Sequence, residues 1–277
     1  MKYNIRLAKR EEMDYFVDWA ANEGWNPGLH DADPFYDTDP KGFFVGEYNG
    51  SIVGAISAVA YDDTFGFIGF YIVHEDHRNT VLAPLLARNA KRHLSTQNIG
   101  LDGVFEKVDS YKNIGFNYAY RNLRFEGKLD GRQTDRIIPV PDIPFKDILE
   151  YDTKFFPTRR EIFLKNWLEM PDSKALAIKS DNEVIGYGMI RKCRKGFKIG
   201  PLFAENSDVA EEILLALLTE TSGDVFYLDV PEINKAGMSL AKKYDMEECF
   251  GTARMYSKEI PDLPTDKIFG VTSFELG

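Results

Sequence analysis

Two spacings of hydrophobic residues alternate along the first 130 positions of the chain, one typical of helices and the other of strands. Met13, Phe16 and Ala20 recur at intervals of three and four residues, which predicts a helix over 11–22. The segment 65–73 is largely apolar, as expected of a central strand that is buried on both faces. The pattern predicts these elements in order: strand 4–8, helix 11–22, a loop or broken helix over 25–40, strands 43–48, 51–61 and 65–73, helix 79–93, strand 98–104, a short helix 110–113 and strand 117–125.

The same order of elements returns in the second half of the chain. Between the halves, residues 131–144 contain three prolines and are interpreted as a linker. We therefore predict domains at 1–130 and 145–277, in an α/β (α+β) fold with mixed sheets and helices on both faces. The second set of elements is a helical region 147–170 broken at Pro157, strands 175–180, 184–193 and 197–204, helix 209–218, strand 225–230, helix 236–244, and a strand 247–256 that closes the sheet.

The composition narrows the classes of function. The 277 residues carry a formal net charge of −10, which argues against a nucleic-acid partner, since such proteins usually present a basic face. This acidity is compatible with a cationic substrate, and a simple role in solubility is the alternative. Two cysteines are too few for a disulfide framework, and no apolar run approaches the ~20 residues of a membrane span. We expect a cytoplasmic protein with no membrane partner, and no metal site, because the four histidines lack ligand spacing.

The residues after the central strand carry the most telling motif. The segment 74–83 reads His-Glu-Asp-His-Arg-Asn-Thr-Val-Leu-Ala, and with the hairpin and strand before it, it resembles the GNAT N-acetyltransferase superfamily. The superfamily has here an Arg or Gln, two free residues, a Gly, one free residue, and then Gly or Ala. Arg78 and Ala83 match this pattern, whereas Val81 stands where the Gly is expected. Residues 111–116 are similar to its Tyr-x-x-x-Gly-Phe segment.

The second half is similar to a C-terminal acetyltransferase-like domain of tandem GNAT proteins. This likeness is carried by Gly-Pro-Leu-Phe-Ala at 200–204, Ala-Arg-Met-Tyr at 253–256 and Phe-Gly-Val-Thr-Ser-Phe-Glu-Leu-Gly at 269–277. The resemblance covers nearly the whole chain. It implies two GNAT-like domains in tandem, each with a mixed, mostly antiparallel sheet flanked by helices.

The resemblance implies that an acyl-CoA, with acetyl-CoA as the donor, binds to the first half. A helix N-terminus offers free N–H groups to a pyrophosphate, and Arg78 can add a charge-assisted contact. A β-branched residue such as Val81 narrows the close approach that Gly allows, so a weakened or decayed site is the alternative. The implied cofactor-binding residues are Tyr71, Ile72, Val73, Arg78, Asn79, Thr80, Val81, Leu82 and Ala83.

The matching helix of the second half is not expected to bind the cofactor. Asp208 and Glu211 have the spacing of a capping box, which occupies the free N–H groups, and the carboxylates at this turn would repel a diphosphate. Asn234 matches a cofactor-contacting Asn of the superfamily, but it is also well placed to cap the helix that follows it. Ala241 stands where the first half has Tyr111.

Acyl transfer to an amine needs a base for the amine, donors for the oxyanion and an acid for the leaving thiolate. The resemblance implies backbone amides of 71–73 as the donors and Tyr111 as the acid, since an unperturbed Tyr is protonated at neutral pH. A packing role is the alternative for Tyr111. Asp102 is the nearest candidate base by order, with a structural role for it or a water chain as alternatives.

The acceptor is expected against the segment 25–40, whose aromatic rings and carboxylates suit an ammonium group; a solvated acidic loop is the alternative. The predicted function is an acyl-CoA-dependent N-acyltransferase that acts on the amine of a small or amino-acid-like molecule. A degenerate GNAT-fold binding or regulatory protein is the alternative, and monomer and homodimer both stay open. The candidate substrate-binding residues are Trp25, Asp33, Phe35 and Tyr36.

Overall fold

The computed structural model describes residues 3–95 and 97–277, and its first half follows the predicted order of elements. The segment 25–40 contains a short helix, and the helix after the central strand begins three residues later than predicted. The elements are β1 (Asn4–Leu7), α1 (Met13–Asn22), α2 (Ala32–Thr38), β2 (Phe43–Tyr48), β3 (Ser51–Ala60), β4 (Phe65–Val73), α3 (Leu82–His93), β5 (Asn98–Val104), α4 (Val108–Asn113) and β6 (Asn117–Gly127).

The second half repeats this order, which confirms the mixed α/β fold. The predicted linker is not wholly irregular, because two of its residues form an edge strand against the next strand of the sheet. The elements are β7 (Ile138–Pro139), α5 (Phe145–Asp152), α6 (Glu161–Leu168), β8 (Ser173–Ser180), β9 (Glu183–Lys192), β10 (Phe197–Ala204), α7 (Ser207–Leu217), β11 (Phe226–Pro231), α8 (Lys235–Lys243), β12 (Glu247–Tyr256) and β13 (Ile268–Gly270).

The two halves share one sheet and exchange their last strands. The strand order is β1-β2-β3-β4-β5-β12-β6-β11-β10-β9-β8-β7, with β13 paired to β10. The prediction that strand 247–256 closes the sheet was therefore wrong, because β12 lies inside the first half, between β5 and β6. In return, β6 pairs with β11 of the second half. Among the described strands, only β4–β5 and β10–β11 are parallel.

The sheet is covered on both faces. Helices α3, α4, α7 and α8 pack on one face, where they bury apolar clusters that include Leu82, Leu101 and Leu214. The other face carries α1, α2, α5 and α6, and its main cluster joins Phe16 of the first half to Trp167 of the second. Because a single core spans both halves, they form one packed unit.

The last ten residues run through this unit as a C-terminal tail, defined as 268–277. Its first part, β13, pairs with β10 where β10 has separated from β11. The rest of the tail continues under β4, on the face opposite α3, where the carbonyl oxygen of Glu275 lies 2.0 Å from the position that a Cβ on Gly69 would take. Only glycine allows so close an approach at position 69.

Candidate active site

A wedge-shaped gap opens in the first half between β4 and β5. The two strands pair in parallel along 65–68 and 98–101, and beyond Ile68 the strand β4 has no ladder partner on the β5 side. A bulge begins there: Phe70 and Tyr71 together lie opposite Ile56, and Phe70 has a left-handed backbone with φ of 46°. Such a conformation is uncommon for a bulky residue and clusters at functional sites. The wedge therefore presents backbone groups of the predicted segment 71–73.

The turn that leads into α3 keeps its amide groups free. The N–H groups of Asn79, Thr80, Val81 and Ala83 make no backbone hydrogen bond within the described chain. Pro84 follows in the first turn of the helix, where its missing N–H costs nothing. The cluster of free N–H groups at the start of a twelve-residue helix suits an anion.

Two of the predicted contact residues at this turn have particular surroundings. Arg78 donates from Nε to the carbonyl of Val73 (3.0 Å) and from Nη2 to the carboxylate of Glu23 (2.5 Å), so its guanidinium is held beside the turn. The side chain of Val81 is 63% exposed, and its φ of −70° is an ordinary value for valine. The helix therefore forms here without the glycine of the superfamily pattern.

Two tyrosines converge on the wedge, Tyr71 from strand β4 and Tyr111 from helix α4. The hydroxyl of Tyr71 donates to the carbonyl oxygen of Ala83 at 2.7 Å, which ties the bulge to the first turn of α3. Tyr111, on α4, packs its ring against Gly103 and edge-on to Phe116. Burial, with a smaller effect from Tyr111, raises the pKa of Tyr71 to about 12, and burial also raises the pKa of Tyr111. Both hydroxyls are protonated at neutral pH and able to donate a proton.

The predicted base Asp102 lies on the sheet face opposite α3, and both of its carboxylate oxygens already accept hydrogen bonds. Its side chain is buried and accepts from Nε and Nη2 of Arg254 at 2.9 and 2.7 Å, and from Nδ2 of Asn122 at 3.0 Å. These three donors use both carboxylate oxygens. To act as a base, Asp102 would have to break its ion pair with Arg254.

The four candidate acceptor residues do not share one surface. Phe35 is fully buried and stacks on Trp167 at 5.7 Å, so its ring has no face left for a substrate. Asp33 pairs with Arg10, whose guanidinium also lies over the ring of Tyr36 at 5.4 Å. Trp25 lies elsewhere. Its backbone carbonyl accepts hydrogen bonds from Arg124 and Lys198 between the halves, and the residue is half-buried.

Charged residues fill the centre of the sheet face opposite α3, and among them only Asp102 was one of the predicted site residues. Arg124 donates to Asp229 at 2.6 and 2.8 Å and to the carbonyl of Trp25 at 2.6 Å. Burial is the largest single effect on Asp229 and opposes its ionisation. The charge and hydrogen bonds of Arg124, with smaller effects from Lys198 and Arg191, together outweigh burial and lower the pKa of this carboxyl. In the sequence, charged residues within otherwise apolar strands are the signal that could have indicated these buried charges. The buried charges on this face are the pairs Arg124–Asp229, Arg191–Asp31, Arg160–Asp152 and Arg254–Asp102, together with Lys198 and Glu275.

The matching places in the second half are occupied by the chain itself. The gap between β10 and β11 holds β13, and the amide of Val271 donates to Asp229 O at 2.9 Å. The predicted capping box at 208–211 is wrong: Asn206 caps α7 by accepting from Val209 N at 3.1 Å. Glu211 is bound instead by a lysine and a tyrosine of the neighbouring helix end.

Asn234 serves α8 as its N-cap. Its Oδ1 accepts from Gly237 N at 2.9 Å, and its Nδ2 donates to the carbonyl of Ile268 at 2.9 Å. Both ends of this amide are therefore satisfied within the protein, and the capping interpretation is the one that the geometry supports.

Residues 3–95 and 97–277 offer neither a metal centre nor a membrane-spanning helix. That part of the chain has no group of three or more His, Cys, Asp or Glu residues placed to hold a metal ion. Its helices include none with both the length and the apolar character needed to cross a membrane.

Comparison with known proteins adds evidence of a different kind. Residues 6–116 match the family described as "Acetyltransferase (GNAT) family", and residues 148–270 match the "Acetyltransferase (GNAT) domain". The chain is 32% identical to holothin acyltransferase of Pseudoalteromonas sp. (strain SANK 73390), over 99% of this chain and 95% of that protein.

Solved structures show the same fold. A candidate acetyltransferase from Pyrococcus horikoshii is 22% identical, with a TM-score of 0.85 over 99% of this chain and 96% of its own. A tandem GNAT protein from the clavulanic acid biosynthesis pathway is 12% identical, with a TM-score of 0.64 over 94% of this chain and all of its own.

Proposed function

Because the chain belongs to the GNAT superfamily as a tandem acyltransferase, we propose that its first half transfers an acetyl group from acetyl-CoA to the amine of a small or amino-acid-like molecule. The observation that carries this proposal is the difference between the two clefts. The wedge of the first half is open between β4 and β5, and its helix N-terminus is uncapped. The wedge of the second half contains β13, and its helix is capped by Asn206.

The described residues fit an acyl-CoA in the first half. The free amides of Asn79, Thr80, Val81 and Ala83 offer donors to the diphosphate, with Arg78 beside them. Backbone amides at the bulge in 71–73 offer a donor to the thioester carbonyl, which stabilises the charge that develops on its oxygen. Tyr111 is proposed to protonate the departing thiolate, since its raised pKa keeps the proton on its hydroxyl until the thiolate forms.

The acceptor is the least specified part of the proposal. The relative with 32% identity is named for holothin, so holothin belongs in the first panel of acceptors, beside simple primary amines and amino acids. Thiol release from acetyl-CoA, followed for each acceptor, tests the reaction directly. A wild-type protein that neither binds acetyl-CoA at millimolar concentration nor releases thiol with any amine would favour the alternative of a binding protein without catalysis. The cytoplasm remains the proposed location.

Replacement of Arg78 by alanine is expected to weaken acetyl-CoA binding about tenfold, because a charge-assisted contact to phosphate is lost. Glu23 holds the same guanidinium in the absence of ligand and competes with the phosphate for it. Glu23→Gln is therefore expected to act in the opposite direction and to strengthen binding roughly two- to fivefold. Titration calorimetry with acetyl-CoA measures both effects.

Arg88→Ala is the matched control for these variants. It removes the same charge from an exposed position further along α3, away from the turn. The control should bind acetyl-CoA like the wild type. If Arg78→Ala and Arg88→Ala weaken acetyl-CoA binding equally, only the net charge of the protein affects binding. The assignment of the turn before α3 as the diphosphate site would then be wrong.

Tyr111→Phe is expected to lower kcat roughly 100-fold, because a positioned general acid contributes at least that much. The dissociation constant for acetyl-CoA should stay within about twofold, since the ring and its packing against Gly103 are retained. Steady-state kinetics and calorimetry separate the two quantities. Tyr118→Phe, at an exposed tyrosine on β6, is the control. An unchanged kcat in Tyr111→Phe would mean that this residue only packs in the fold and is not the acid.

A further inference from the structure

We infer that Glu275, on the C-terminal tail beneath β4, is the carboxylate that binds the ammonium group of the acceptor and removes its proton. This inference rests on the proposed function, and it assigns to Glu275 the role of base that the sequence predicted for Asp102. It places the acceptor at a cluster of polar side chains beside the tail, on the sheet face opposite α3. This cluster, called the polar chamber, consists of Glu275, Asn122, Thr252, Arg124 and Lys198.

The first observation is that Glu275 is buried without a partner. The residue is 2% exposed, and neither Oε1 nor Oε2 makes a hydrogen bond to the described residues. A buried carboxylate in this condition is costly, since burial removes its hydrogen bonds to water. Native proteins rarely keep such a group unless it serves a ligand or a reaction. The four buried aspartates of the same face, in contrast, each hold an arginine.

The second observation is the place of Glu275 under the wedge. Its backbone lies against Gly69, and Gly69 directly follows the last residue of β4 that pairs with β5. The bulge at Phe70 and Tyr71 comes next along the same strand. Glu275 therefore approaches the wedge from the face opposite α3, while the free amides of the helix turn lie on the α3 side.

The third observation is that the other unsatisfied groups on this face are also hydrogen-bond acceptors. Asn122 uses its Nδ2 for Asp102, and its Oδ1 is buried with no partner among the described residues. Thr252 lies directly across the β6–β12 ladder from Asn122, and its Oγ1 is likewise buried and unpaired. These carboxylate, amide and hydroxyl oxygens receive no hydrogen bond from the described residues, and such a set suits a ligand rich in N–H groups. An alkylammonium brings three such donors.

The cations near Glu275 do not satisfy it. Arg124, Arg191 and Lys198 all interact with it electrostatically. The two arginines are held by Asp229 and Asp31, and the Nζ of Lys198 donates to the carbonyl of Trp25 at 3.2 Å. The two arginines are therefore committed elsewhere. Lys198 keeps two further N–H donors, but it makes no hydrogen bond to Glu275, so both carboxylate oxygens stay available.

An aromatic border connects the chamber with the surface. The guanidinium of Arg124 lies 4.8 Å from the ring centre of Phe274 and 5.5 Å from that of Phe250. Phe250 and Trp25 are half-buried, so the border reaches solvent at these two residues. Aromatic faces attract an ammonium group as it leaves water. Of the candidate substrate-binding residues, Trp25 is thus the one placed beside the chamber.

Acyl transfer through Glu275 and Tyr111 conserves both atoms and charge. The acceptor ammonium gives one proton to the carboxylate of Glu275 and becomes a neutral amine. The amine nitrogen forms a bond to the thioester carbon, the carbon–sulfur bond breaks, and the thiolate takes the proton of Tyr111. The second proton lost by the nitrogen restores Tyr111, and Glu275 releases its proton to water. The products are an amide, the free thiol of CoA and one proton.

Glu275→Gln tests the inference, because glutamine keeps the shape and removes both the charge and the ability to accept this proton. We expect kcat to fall at least 100-fold with the best amine of a panel of holothin, benzylamine, ethanolamine and L-lysine. Binding of that amine to the protein without acetyl-CoA should weaken at least tenfold by calorimetry, whereas acetyl-CoA binding should stay within twofold. Glu248→Gln, at an exposed glutamate on β12, is the matched control and should behave like the wild type.

Glu275→Asp covers the case in which glutamine disturbs folding. It keeps the charge but withdraws it by one methylene, so kcat should fall about tenfold while the circular dichroism spectrum is retained. Wild-type kcat and amine affinity in either folded variant would overturn the role of Glu275 while leaving the proposed function intact. A wild-type protein that transfers acetyl to none of the amines would overturn the proposed function, and this inference with it.

Discussion

Neither half of the chain is expected to fold when it is produced alone. A fragment 1–134 lacks β12, so the facing edges of β5 and β6 lose the strand that pairs with both. A fragment 135–277 lacks β6, which leaves one side of β11 and one side of β12 unpaired. Each fragment also exposes its share of the joint core around Trp167. Open strand edges and apolar surface favour aggregation, so both fragments should be insoluble or unfolded.

Co-expression of the two fragments is the control for the cut itself. Residues 132–136 are exposed, and cleavage there breaks no strand of the sheet. We therefore expect 1–134 and 135–277 to assemble when made together and to copurify as a complex that unfolds cooperatively by circular dichroism. A soluble fragment 1–134 with its own cooperative unfolding transition would contradict the strand exchange as the basis of stability.

Asp152→Ala is expected to lower the free energy of unfolding by roughly 3–5 kcal/mol, which is the usual cost of leaving a buried charge without its partner. The carboxylate of Asp152 is fully buried and accepts from Arg160 at 2.8 and 2.7 Å and from the hydroxyl of Tyr187 at 2.5 Å. Arg160 also donates to Thr272 Oγ1 at 2.9 Å, so the same pair anchors the C-terminal tail.

Urea unfolding followed by circular dichroism measures this loss as a shift of the midpoint. Asp147→Ala is the matched control, because Asp147 pairs with Lys179 at 3.6 Å near the surface, where an ion pair contributes about 1 kcal/mol or less. If Asp152→Ala and Asp147→Ala lose similar stability, the buried pair does not hold the tail in the way the structure indicates.

The sequence by itself determined the kinds of elements and most of the first cleft. Helix α1 and strand β4 follow from local spacing, because each buries a face that its own residues define. The motif at 74–83 located the turn before α3, and its amides are free in the structure. Tyr111 was predicted from its segment, and in the structure it lies on the short helix α4 with its ring against Gly103; its role as the acid stays a prediction.

Tertiary structure alone decided which strands are neighbours, and it revealed the chamber. A ladder is made of backbone hydrogen bonds that any strand can offer, so nothing local in 247–256 distinguishes the sheet edge from the position between β5 and β6. Glu275 reads as an ordinary surface residue in the sequence. Its burial depends on contacts with Gly69, some two hundred residues earlier, and such distant contacts leave no periodic signal in the chain.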